Sequence, residues 1–199
     1  MNETVLWLIR HPEPDASARD LCYGSLDVAL SEEGTRQAHA IAEKLASVRF
    51  AAIYTSPKRR CAETAQAIAR GGAVKEVEDL RELDFGTLEG RSYNEIAVLH
   101  PDIYRQWMDN PTETQFPQGE SFCQMSKRVL SVVRDVLARH VGESIALVTH
   151  GGPIRVILAD ALGIPAPNIF RIEQRYGAIN RIRYRDGVPS VELVNAANI

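Results

Sequence analysis

Hydrophobic residues follow two different periods along this chain. Three short runs are almost unbroken: residues 4–10 (TVLWLIR), 50–56 (FAAIYTS) and 144–150 (SIALVTH). Their brevity and their β-branched and large apolar residues predict strands buried on both faces. A weaker run at residues 73–79 (AVKEVED) predicts a short strand nearer a sheet edge. Between the strands, apolar positions return every three or four residues. Over residues 31–48 Ser31 can cap a helix, Glu32 and Glu33 suit its first turn, and Ala38, Ile41, Ala42 and Leu45 line one face. A second helix is expected over residues 58–72, ended by Gly71 and Gly72. Residues 92–110 read as irregular helical pieces broken by Pro101 and Pro111. Residues 120–140 form a long amphipathic pattern that carries Val129, Val132, Val133, Val136 and Leu137. Helix returns at residues 152–163, and the tail at 178–194 reads as two or three short strands with Asp186-Gly187 at a hairpin turn.

Alternation of strand and helix predicts a three-layer α/β/α sandwich on a mostly parallel sheet, with the tail supplying an antiparallel edge strand. No internal repeat, low-complexity linker or compositional break divides the chain, so residues 1–199 are expected to form a single domain. In open sheets of this kind ligands sit beyond the carboxyl ends of the strands. That rule places Arg10, His11 and His150 on one rim.

Composition narrows the function. A formal net charge of −3 argues against a general nucleic-acid binder, which carries a basic excess to neutralise phosphates. Any basic site must therefore be local. Cys22, Cys61 and Cys123 are odd in number and widely spaced, which fits neither a disulfide framework nor a zinc site and points to a reducing cytoplasm. The apolar stretch near the start is too short for a signal sequence or a membrane span. No nucleic acid and no membrane are expected as partners.

The chemistry lies at the strand ends. In IRHPEP an arginine and a histidine leave a buried strand together, which suits holding and attacking an anion; a packed histidine beside a solvated charge would read the same way. In YTSPKRRCAETA, Lys58, Arg59 and Arg60 follow another strand at the start of a helix, where unpaired N–H groups also favour phosphate. After His150, Gly151 and Gly152 would let backbone approach a ligand closely. In LRELDFGTLEG, Glu82, Asp84 and Glu89 are each chemically able to give a proton to a leaving alkoxide. These features define an anion-binding rim with histidines and an acid.

The chain resembles the histidine phosphatase superfamily, or phosphoglycerate mutase-like family, whose Arg-His-Gly signature appears here as Arg10-His11-Pro12. The resemblance extends in order through LDVALSEEGTRQA, YTSPKRRCAETA, LRELDFGTLEG and VTHGG. It implies a phosphohistidine mechanism. His11 would be the nucleophile, its other ring nitrogen fixed by a backbone carbonyl, and Arg10, Arg60 and His150 would surround the phosphoryl oxygens. Glu82 would protonate the leaving group and then activate water. Arg59 falls on a variable position and ranks below Arg60. No metal or cofactor is implied. Two departures stand out. Pro12 replaces the usual glycine and offers no N–H to phosphate. Pro14 replaces the usual hydroxyl residue, for which Ser17 or a backbone group would substitute. Within the family, the absence of basic residues just after Glu82 and the short chain favour a phosphatase over a phosphoglycerate mutase. CYGSLDVAL and FPQGESFCQMSKRV resemble segments of α-ribazole phosphatases of cobalamin biosynthesis, with Tyr23 and Gly24 lining the leaving-group side. The expected partner is a small phosphorylated metabolite. Phosphoglycerate mutase-like transfer, broad phosphatase activity and a non-catalytic phospho-ligand binder are the alternatives. An open edge strand in the tail leaves a homodimer open.

Overall fold

The computed structural model describes residues 3–197. Its centre is a six-stranded sheet in the order β3-β2-β4-β1-β5-β6. The strands are β1 (Glu3–Arg10), β2 (Ala52–Thr55), β3 (Lys75–Glu76), β4 (Ser144–Thr149), β5 (Ile179–Arg185) and β6 (Val188–Ala196). Strand β1 pairs in parallel with β4, as β2 does with β4 and β3, whereas β5 runs antiparallel to both β1 and β6. The mostly parallel sheet with an antiparallel edge follows the expectation from sequence.

The helices are α1 (Glu32–Lys44), α2 (Arg59–Ala69), α3 (Tyr93–Leu99), α4 (Pro101–Asp109), α5 (Phe122–Arg139) and α6 (Gly151–Leu162). Strand alternation sorts the core into two layers. Trp7, Ile9, Ile53, Ala146 and Val148 face α1 and α2, in a cluster with Ile41, Cys61 and Ala65. Leu6, Leu8, Ile145 and Leu147 face the other way, onto Val129, Val133, Ile154 and Ile157 of α5 and α6. Each fully buried Leu or Ile contributes roughly 1.5–3 kcal/mol of transfer free energy, so the sheet is fixed from both sides.

Local chemistry sets the element ends. Ser31 caps α1 by accepting from the Gly34 N–H, and Ser92 and Ser121 form capping boxes at the starts of α3 and α5. Pro101 begins α4 at a position where a missing N–H does no harm. Helix α2 stops at Arg70, ahead of the glycines: Arg70 itself takes the left-handed conformation, with φ 49°, and its guanidinium reaches the Ala42 carbonyl of α1 at 2.8 Å. The tail contains two strands, turned by Asp186 and Gly187 at φ 47° and 83°, as a two-residue hairpin requires.

Parallel register brings the carboxyl ends of β1, β2 and β4 level. Arg10 is opposite Thr149, and Thr55 opposite Val148, so His11, Ser56 and His150 emerge side by side.

Candidate active site

His11 is 2% exposed. Its Nδ1 lies 2.8 Å from the carbonyl oxygen of Pro12. A carbonyl can only accept, so Nδ1 carries the hydrogen and Nε2 keeps its lone pair. Burial, then the charges of Arg10 and Arg60, hold the imidazole well below its ordinary value of 6.5. Pro12 thus serves the histidine through its carbonyl, and its lack of an N–H leaves no unmet donor at the turn.

Two guanidinium groups converge beside it. Arg60 is fully buried on the first turn of α2, with Nη1 donating to the Leu26 carbonyl at 2.7 Å and Nη2 to the Gly24 carbonyl at 3.0 Å. Arg10 Nη1 donates to the Gln174 carbonyl at 2.6 Å. Among the described residues the Nε atoms of both arginines are buried without a partner. A buried cation whose bonds go to neutral carbonyls favours an anion nearby. His150 completes this side. Its ring centroid is 5.2 Å from that of His11, and its Nε2 is 2.9 Å from the Ser56 hydroxyl. Burial, followed by Arg60 and His11, pushes His150 well below the ordinary imidazole range as well.

Glu82 is the acid that reaches this space. It lines a cavity of about 220 Å³ together with Arg10, His11, Arg60 and His150. Its Oε1 accepts from the Leu83 N–H at 2.9 Å, and its Oε2 from the Gly152 N–H at 3.0 Å, at the start of α6. Asp84 and Glu89, chemically equivalent in sequence, serve the loops instead. Asp84 accepts from the Gly86 N–H, and Glu89 accepts from the N–H groups of Gly24, Ser25, Leu26 and Phe85.

Several expected contacts are placed differently. A β-carbon at Gly151 would meet Arg155 and Arg10, and one at Gly152 would meet Glu82, so these glycines make room for side chains around the cavity. Gly24 likewise acts through Arg60: its carbonyl receives the guanidinium, and a β-carbon there would collide with the Leu83 carbonyl. The start of α2 offers no free anion site, because Asp27 accepts from the Arg59 N–H at 2.7 Å and the Val28 carbonyl accepts from Arg60. Arg59 itself is exposed and pairs with Glu63. Ser17 is exposed in the 3-10 turn Ala16–Ala18, and its N–H donates to Asp15; it does not line the cavity. Tyr23 does line the cavity.

Tyr176, Tyr93 and Arg128 are site residues that strand-end reasoning passes over. Tyr176 covers Arg10, with Cζ 4.2 Å from its ring centroid, and its hydroxyl is 2.6 Å from that of Tyr23. Arg128 of α5 donates to the carbonyls of Asp79, Arg81 and Glu82 and pairs with Glu120, so it clamps the loop that carries the acid. Tyr93 and Tyr176 lie outside the motifs quoted above, and Arg128 lies within FPQGESFCQMSKRV, a segment that assigns it no role; all three meet the site through folding. Among the described residues no helix is long and apolar enough to cross a membrane.

Comparison with known proteins gives one family. Residues 6–197 match the model of the histidine phosphatase superfamily (branch 1). Phosphoserine phosphatase 1 of Hydrogenobacter thermophilus is 31% identical over 161 residues, covering 80% of this chain and 76% of that protein. The crystal structure of the α-ribazole phosphatase from Shigella flexneri superposes with a TM-score of 0.90 at 26% identity, covering 98% of both chains. That of phosphoserine phosphatase from Entamoeba histolytica in complex with 3-phosphoglyceric acid does so with a TM-score of 0.84 at 26% identity, covering 97% of both chains.

Proposed function

The chain belongs to the histidine phosphatase superfamily and is a histidine-type phosphatase; from that premise we propose that it hydrolyses the monoester of a small phosphorylated metabolite through a phosphohistidine on His11. One observation carries this reading: two guanidinium groups, tied to neutral carbonyls, converge with the unprotonated Nε2 of His11 and the Glu82 carboxyl on one cavity. In the first step Nε2 attacks phosphorus and the P–O bond to the alcohol breaks, while Glu82 gives that oxygen its proton. In the second, Glu82 takes a proton from water, whose oxygen attacks the phosphohistidine and releases inorganic phosphate. Arg10, Arg60 and His150 hold the phosphoryl oxygens as charge develops on them, the part metal ions play elsewhere.

For the natural substrate, the reading favours α-ribazole 5′-phosphate, on the likeness of CYGSLDVAL to α-ribazole phosphatase segments and on the fold shared with the Shigella enzyme. Phosphoserine is the second candidate, on the Hydrogenobacter relative. Turnover of p-nitrophenyl phosphate in EDTA tests the mechanism. The wild type is expected to be active, and His11→Ala to lose on the order of 10⁴-fold or more in kcat; full activity in the variant would refute it. A kcat/KM panel of α-ribazole 5′-phosphate, phosphoserine, 3-phosphoglycerate and sugar phosphates decides the substrate, and equal values throughout would remove the cobalamin assignment.

A further inference from the structure

Behind Tyr23 and Tyr176 the phosphate cavity adjoins a second one of about 340 Å³, and the two share the walls Leu21, Tyr23, Tyr93 and Tyr176. That volume lies in the range of small-ligand sites, roughly 300–1,000 Å³. The shared aromatic wall is held in place. Tyr93 stacks on Trp107 with centroids 5.4 Å apart and planes 23° apart, yet is 45% exposed, so it has one supported face and a surface still open. Tyr176 is pinned over Arg10, Tyr23 lies over Arg60, and the two hydroxyls are bonded to each other. One of those two O–H groups is consumed in that bond, which leaves the other to donate to an ester oxygen.

The outer wall carries the opposite charge from the phosphate floor. Among the described residues its lining holds three carboxylates, Glu13, Asp15 and Asp20, against one cation, Arg19. A leaving group that bears a carboxylate would enter an excess of negative charge, whereas a flat uncharged or cationic ring would meet three tyrosine rings.

We propose that this outer cavity is the alcohol-side subsite and that it selects phosphate esters whose alcohol carries a planar aromatic group, discriminating against carboxylated alcohols. The inference rests on the phosphatase reading above and adds the substrate class and the residues that sort it. Hydrolysis of adenosine 5′-monophosphate, sn-glycerol 3-phosphate and 3-phosphoglycerate, with p-nitrophenyl phosphate as reference, tests it. The nucleotide is expected to exceed glycerol phosphate in kcat/KM on the order of tenfold, the size of one stacking contact with a base, with 3-phosphoglycerate slowest. Tyr93→Ala is expected to bring the nucleotide-to-glycerol-phosphate ratio near unity. Asp20→Asn, which suits the φ of 61° at that position, is expected to raise 3-phosphoglycerate relative to glycerol phosphate. Equal rates for nucleotide and glycerol ester in the wild type, or a parallel loss for all esters in Tyr93→Ala, would overturn the subsite. Failure to hydrolyse any ester, p-nitrophenyl phosphate included, would instead overturn the phosphatase reading. Calorimetric binding of the nucleotide and of glycerol phosphate to His11→Ala then decides the subsite without turnover: tighter nucleotide binding supports it, and equal binding refutes it.

Discussion

Gly152 shows how little space separates the acid from its support. A β-carbon there would stand 2.2 Å from Glu82 Oε1, while the Gly152 N–H holds Oε2 at 3.0 Å. Gly152→Ala is therefore expected to displace the carboxyl and lower kcat for alkyl phosphates by about a hundredfold, within the range general acid catalysis supplies. p-Nitrophenyl phosphate should lose much less, because nitrophenolate departs with little need for a proton. Equal losses on both substrates would show that the glycine does not act through Glu82. At Pro12, too, a single atom decides the role. Its ring removes an N–H, but the atom the site uses is its carbonyl, which orients His11. Glycine or proline at that position presents the same acceptor.

Helix α5 contributes to the site through one side chain. Arg128 binds three carbonyls of the loop before and at Glu82 and pairs with Glu120, both side chains being largely buried, at 13% and 17% exposure. Glu120 in turn accepts from the Asp84 N–H at 3.0 Å, so helix and loop form one network. Arg128→Met leaves Glu120 without its cation, and a loss of about 3 kcal/mol is expected by urea denaturation. A fall in kcat should accompany it as the loop loosens. Arg128→Lys should not restore kcat, because one ammonium cannot span the carbonyls a guanidinium fork reaches. Full activity in Arg128→Lys would mean that charge alone is needed. At the start of helix α2 the Asp27 carboxylate, not a free anion, accepts from the Arg59 N–H, and the element presents Arg60 to the site instead.

The molecule as a whole encloses two neutral histidines at the centre of one sheet rim, with His11 and His150 at 2% and 1% exposure. Both are held below the ordinary value of 6.5 by burial and neighbouring arginines. As pH falls the unfolded chain takes up these protons first, so the folded state has its full advantage above the ordinary histidine value. It loses that advantage as pH falls from there toward the lowered values, by up to about 1.4 kcal/mol per pH unit for each histidine. Denaturation midpoints of the wild type should drop between about pH 7.5 and pH 5.5 more steeply than those of His150→Gln; parallel curves would refute this. Inorganic phosphate at a hundred times its Kd should add about 2.7 kcal/mol. Much of this architecture was legible in the one-dimensional pattern. Unbroken runs such as 4–10 and 144–150 can only be satisfied by burial on both faces, which forces a layered sheet, and strand ends then place Arg10, His11 and His150 together. Cap residues such as Ser31 announce themselves because their partners lie within three positions. What local pattern could not announce are the groups that meet across long separations. Tyr23 bonds to Tyr176, Arg128 holds the Glu82 loop, and Asp27 fills the start of α2, in each case through an interaction that exists only once distant segments are packed. For the same reason Glu82, Asp84 and Glu89 are alike in a sequence of charges. Packing alone turns the first into the cavity and leaves the other two holding loops.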